Sequence, residues 1–221
     1  MNLFKKLFFV ACLGVFLGCI NTTVVHADTE KNDQVTIDDV HKADEYVSVK
    51  GNRFVFDEQK AREKLSSEDV KVINDQIARV NQQIASNSMK IDTESKEIYT
   101  PVKYFSFAVH NSNYTTKEFW WGKRYYFTSN EAVKRGAAHF RKIANDRGND
   151  SIFWSAVGDA VAYISPWYTL AANLASLGVQ GVANRFNRAA SDLVSYNNKH
   201  RKNRIYLDFN FSCQYSLHIL K

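Results

Sequence analysis

TKEFWWGKRYYF, residues 116–127, sets Trp120 and Trp121 between Phe119 and Gly122 and follows them with Lys123, Arg124 and three more rings. Aromatic density of this kind reads as a strand over residues 117–127, because flat rings fit a pleated, half-buried surface. Gly122 interrupts it and marks a bulge or a close approach by a second backbone. In one strand the two indoles point to opposite faces, so at most one of them reaches a core. Three uses follow. The second indole lies under a helix expected at 151–164, or it offers a stacking platform to a sugar, or it joins an interfacial belt. In a belt, indoles sit at headgroup level while Lys123 and Arg124 meet phosphates.

The surrounding sequence extends the aromatic sheet. Residues 98–127 hold eleven Phe, Tyr and Trp. VKYFSFAVH (102–110) alternates as a strand and Asn111, Ser112 and Asn113 form a turn. IYLDFNFSCQYSLHIL (205–220) closes the chain as one or two strands. Ile205, Leu207, Phe209 and Phe211 share one face, and Tyr206, Asp208, Asn210 and Ser212 share the other. Between these strands, Thr128 and Glu131 have capping-box spacing, so a helix starts there. Its apolar line is Val133, Ala137, Phe140 and Ala144, and its cationic side is Lys134, Arg135, Arg141 and Lys142. Residues 160–184 carry no charge. That length spans a bilayer, but Ser165, Pro166, Asn173, Ser176 and Gln180 break the run into short helices near 151–164, 166–177 and 180–196. Asp159 reads as a solvated acid or a partner of Arg185.

Ahead of the sheet, YVSVKGNRFVFD (46–57) is a hairpin turning at Gly51 and Asn52. Val70, Ile73, Ile77, Val80 and Ile84 then step by three and four, which is one stripe of an amphipathic helix capped by Ser66 or Ser67. The expected class is α+β: a hairpin and amphipathic helix over 46–97, then an antiparallel aromatic sheet packed with apolar, Ala- and Gly-containing helices over 98–221. Residues 28–45 are acidic and aperiodic and read as a flexible leader. Residues 1–27 have the basic start, apolar run and small-residue cleavage site of a secretory signal cut after Ala27. The alternative is a lipoprotein anchored at Cys19. Cys213 is the only cysteine beyond residue 27. It forms no internal disulfide and reads as a small buried side chain.

Charge is uneven. Residues 28–115 hold 12 Lys and Arg against 16 Asp and Glu, whereas residues 116–221 hold 15 against 7. On an exported protein a cationic half favours anionic lipid or teichoic acid, with no nucleic acid as partner. No hydrolase, phosphate-loop or paired-cysteine motif is present. His41, His110, His139, His200 and His218 lack ligand spacing, so the reading is a non-enzyme without metal or cofactor. Trp120, Trp121, Lys123, Arg124, Trp154 and Trp167 are the candidate envelope-binding residues.

VSVKGNRFVFD, VINDQIARVNQQI, FWWGKRYYF, the apolar Ala- and Gly-containing segment and NRIYLDFNF together resemble, in order and layout, small secreted Gram-positive proteins that include large unmodified bacteriocins of the geobacillin kind. The resemblance implies an antimicrobial protein acting at the envelope of competing bacteria, with an immunity protein or receptor as partner and no catalytic residues. The alternative is a cell-wall or ligand-binding module that uses the aromatic strand. The apolar segment here is less glycine-rich and more interrupted than that group implies.

Overall fold

Residues 35–101, 114–162, 170–171, 174–202 and 204–220 are described by the computed structural model. The signal segment, the strand expected over 102–110 and Trp167 lie outside them.

The described residues open with α1 (Ile37–Asp44), within the stretch expected to be a flexible leader. Thr36 caps it by accepting from the Asp39 amide, and Asp38 and Asp39 meet its positive end. Val35, Val40 and Ala43 are buried. Of the acids that make this stretch look like a leader, Asp38 and Glu45 are exposed, whereas Asp44 is turned toward the Trp120 indole. The hairpin of β1 (Val47–Lys50) and β2 (Arg53–Phe56) turns as expected. Gly51 and Asn52 both take positive φ, 56° and 61°, as a two-residue turn of this twist requires. A single turn, α2 (Glu58–Ala61), leads to α3 (Ser67–Ser86), capped by Ser66. All five stripe residues of α3 are buried.

The domain boundary expected at residue 97 is crossed by the main sheet. Six antiparallel strands run in chain order: β3 (Lys90–Ile91), β4 (Ile98–Tyr99), β5 (Thr115–Phe119), β6 (Gly122–Phe127), β7 (Ile205–Asn210) and β8 (Tyr215–Ile219). Thus β3 and β4 tie the polar linker to the aromatic strands, and one apolar core includes side chains from α1 to β8. The fold is α+β, with an aromatic cluster in that core.

Between β6 and β7 the described residues include α4 (Asn130–Asn145), α5 (Asp150–Ala160) and α6 (Gly178–Lys199). The α4 cap is Ser129, one residue later than the capping-box spacing implies, accepting from the Ala132 amide. Phe209 lies at the centre of the interior, stacked on Phe186 of α6 at 5.0 Å and edge-on to Phe140 of α4 at 5.3 Å. Tyr125 donates its hydroxyl to the Ala160 carbonyl at 2.8 Å, which satisfies the phenol where it is buried. The alternation expected over 205–212 is carried by β7 as far as Asn210, and residues 211–213 turn toward β8. Leu207 and Phe209 face the helices, while Tyr206 and Asp208 pair in register with Tyr126 and Arg124.

Candidate functional site

Residues 117–127 are not one strand. They form a hairpin, β5 to β6, with Trp120 and Trp121 as its two-residue tip, because Phe119 pairs with Gly122. The tip is driven into the protein: Trp120 is 0% exposed and Trp121 3%. Gly122 takes φ +149°, and a Cβ there would stand 2.0 Å from the Phe209 carbonyl oxygen. This is the close backbone approach that the glycine signalled. Among the described residues the indoles make contacts with α1, α3 and Phe119, where cover by a helix at 151–164 was one expectation. Trp120 Nε1–H donates to Asp44 Oδ1 at the end of α1 at 2.6 Å. Its carbonyl accepts from Gln76 of α3 at 3.4 Å. Trp121 lies flat against Phe119 at 4.8 Å and receives the edge of His41 at 5.5 Å. Lys96 Nζ braces the same corner from 3.1 Å beyond Asp44 Oδ2.

The other envelope candidates among the described residues, Lys123, Arg124 and Trp154, are also engaged internally. Lys123 is 6% exposed and its ammonium lies 3.2 Å from Glu118. The exposed Asp159 is 3.6 Å from Lys123, so its neighbour is Lys123 and not the expected Arg185. Trp154 is 5% exposed, edge-on to Phe153 at 5.2 Å. Ring burial of this extent outweighs the interfacial preference of an indole. Trp120, Trp121 and Trp154 therefore form no surface belt, and the cations beside them are held by protein carboxylates. Among the described residues, no helix is long and apolar enough to cross a membrane.

Arg124 belongs to a buried charge cluster. Its Nε and Nη2 donate to the two carboxylate oxygens of Asp208 at 2.6 and 2.7 Å. The guanidinium lies over Tyr206, 4.3 Å from the ring centre. Asp208 has no exposure, and His41 Nε2 sits 3.1 Å from its second oxygen. Burial alone would raise the Asp208 pKa. The two Arg124 bonds and the nearby His41 outweigh it and hold the carboxyl below its ordinary range. His218 stacks on Tyr206 at 4.8 Å, and its ring nitrogen is 2.8 Å from the Ser216 hydroxyl. Desolvation lowers the His218 pKa. The cluster fastens α1 to the sheet, because His41 is the only member from α1 and the rest come from β6, β7 and β8.

A different surface presents free cations. Phe127 pairs with Ile205, so the turn entering α4 runs beside the connector that leaves α6. A cleft of about 340 Å³ opens between them, lined by Ser129, Asn130, Asn197, Arg201, Lys202 and Arg204. A second hollow of about 260 Å³ continues along α4 and α6 and shares Asn130, Asn197 and Arg201, with Lys134 on its wall. Asn197 is 8% exposed and donates Nδ2–H to Asn130 Oδ1 at 2.8 Å, making an uncharged amide floor. Arg201 donates to Asn198 at 3.1 Å. Among the described residues no carboxylate pairs with Arg201, Lys202 or Arg204, and all three are exposed. The run NNKHRKNR is visible as a basic connector, but its place opposite residues 128–130 depends on the register of β6 with β7. Among the described residues no group of three His, Cys, Asp or Glu gathers to hold a metal ion.

No known protein family, curated protein or solved structure matches this chain.

Proposed function

We propose that this is an exported, non-catalytic protein that attaches to the anionic polymers of a Gram-positive cell envelope. The observation that carries the reading is the division of cations. Those beside the aromatic strand, Lys123 and Arg124, are spent on internal carboxylates. Those of the α6 connector, Arg201, Lys202 and Arg204, stand exposed around a concave surface. A cationic concavity draws anionic chains from solution and holds them more firmly at low ionic strength. The test is co-sedimentation of residues 28–221 with isolated walls before and after teichoic acid is stripped. Binding is expected to intact walls, to weaken with salt and to fall on stripping. Equal sedimentation with stripped walls overturns the reading.

A second reading, a bacteriocin-like protein acting on the membrane of competitors, is supported by the layout resemblance and by Ile152. That residue is 55% exposed on the first turn of α5, ahead of the uncharged run. It requires α5 to leave the core and uncover Trp154. Dye release from anionic vesicles supports this reading, and intact vesicles at every salt concentration count against it.

A further inference from the structure

The geometry points to the trough between α4 and the α6–β7 connector as the binding site for an aliphatic phosphodiester polymer. This deepens the envelope reading and rests on it.

The arrangement is costly to the fold without a ligand. Lysines and arginines after a helix commonly offset the negative end of its dipole, and Lys199 and Arg201 do so for α6. That account does not reach Lys202 and Arg204, which lie beyond the helix, or Lys134. Lys134 is in the second turn of α4, where the dipole is unfavourable to a cation. Like charges thus converge on the positive end of a sixteen-residue helix. Glu131, in the first turn of α4, lies 3.3 Å from Arg135 and 3.9 Å from Lys134, so it offsets Lys134 in part and leaves Arg201, Lys202 and Arg204 without a carboxylate among the described residues. A bound anion relieves this repulsion.

The shape selects among anions. The two hollows meet at Arg201, with Lys134 at one end and Lys202 and Arg204 at the other. Cations spaced along a continuous trough match repeated negative groups better than one isolated phosphate. A lipid surface is flat and is gripped by apolar residues inserted beside the cations, whereas this trough is concave. A single-stranded nucleic acid is gripped by ring faces on which bases stack. Among the described residues the one ring lining the trough, Phe127, is 1% exposed. A chain of phosphodiester-linked polyols needs neither. Its hydroxyls suit the Asn130 and Asn197 amides, and its phosphates suit the guanidinium groups.

The experiment is titration calorimetry on residues 28–221, which contain all of the core found among the described residues, with three probes: soluble poly(glycerol phosphate), phosphatidylglycerol vesicles and an oligothymidylate. The triple variant R201A/K202A/R204A is compared with K64A/K71A/K90A, which removes equal charge from exposed sites elsewhere. Loss of several phosphate contacts is expected to weaken the polymer at least ~10-fold in the first variant and by less than ~2-fold in the second, with a flatter salt dependence in the first. Asn197→Asp, which places a carboxylate on the floor, is expected to weaken binding as well, and it carries the test if the triple variant melts early. Equal losses in both triples, no binding of the polymer by the wild type, or equal or tighter binding of the vesicles or the oligonucleotide overturns the proposal. Wall co-sedimentation separates the two levels. Attachment that survives in R201A/K202A/R204A refutes the trough alone, whereas a wild type that never sediments refutes the envelope reading itself.

Discussion

Replacing Asp208 with asparagine removes one charge and almost no volume from the junction of α1 and the sheet. The carboxylate is fully buried and accepts two Arg124 bonds at 2.6 and 2.7 Å. Removing one member of a buried ion pair costs about 3–5 kcal/mol, mostly because the other charge is left without a partner. Two features place the effect at the lower end. The Arg124 side chain is 26% exposed and recovers some hydration, and the asparagine oxygen keeps one of the two bonds. The expected loss is about 3 kcal/mol, or a fall in Tm of about 6–12 °C for a chain of this size. The assay is urea unfolding followed by tryptophan fluorescence, since Trp120 and Trp121 lie on the same junction. Acid adds a second signature. The folded pKa of Asp208 is depressed, so its stabilisation is complete above the unfolded value of about 3.9 and is lost as pH falls through the lower folded value. The gap between wild type and Asp208→Asn should therefore narrow below about pH 4. A neutral-pH difference under about 0.5 kcal/mol, within the range of ordinary surface changes, would refute the reasoning, and so would a gap indifferent to acid.

Gly122→Ala is expected to abolish soluble expression or cost more than about 4 kcal/mol, because the new methyl meets the backbone of β7 and not a mobile side chain. A variant with unchanged Tm would contradict the hairpin geometry. Trp120→Phe keeps most of the ring volume but leaves the Asp44 carboxylate short of one donor, for an expected loss of about 1.5–3 kcal/mol by denaturant titration. Full stability in that variant would mean that the indole bond is dispensable. The thiol of Cys213 is fully buried and its pKa is pushed up to about 12 by desolvation. It should resist aromatic disulfide reagents at pH 8, conditions near ~8.5 where a free cysteine reacts readily, and should react once urea unfolds the chain. Rapid labelling of the folded protein would contradict its burial.

What was legible in the sequence had a local cause. The β1–β2 turn follows from Gly51 and Asn52, the α3 stripe from its spacing, and the two faces of β7 from strict alternation. Each is settled within a few residues. The misread features are long-range. Trp120 and Trp121 look like mid-strand residues until Phe119 is seen to pair with Gly122. They look like candidates for exposure until Asp44, 76 positions earlier, supplies a partner for the indole N–H. The leader of residues 28–45 shows too few apolar side chains to announce a helix. Val35, Val40 and Ala43 suffice because a finished sheet already offers them a surface. The trough was hidden for the same reason. Its basic wall is plain in NNKHRKNR, but the opposite wall at Ser129 and Asn130 is brought near only by pairing of Phe127 with Ile205.

The Asn210 amide donates to the Val35 carbonyl at 3.1 Å, a bond that joins positions 175 apart. Synthesis runs from the amino end, so α1 emerges long before the strand that anchors it. Closing a loop of that span costs entropy that only late contacts repay. Until β7 is made, the segment around Val35, Val40 and Ala43 and the twin indoles have no finished site to occupy, and they present sticky surface to whatever is nearby. A chain cut short before residue 205 loses more than a strand. It leaves the Val35 carbonyl without the Asn210 amide and the β6 edge without its partner, and it should be found in aggregates.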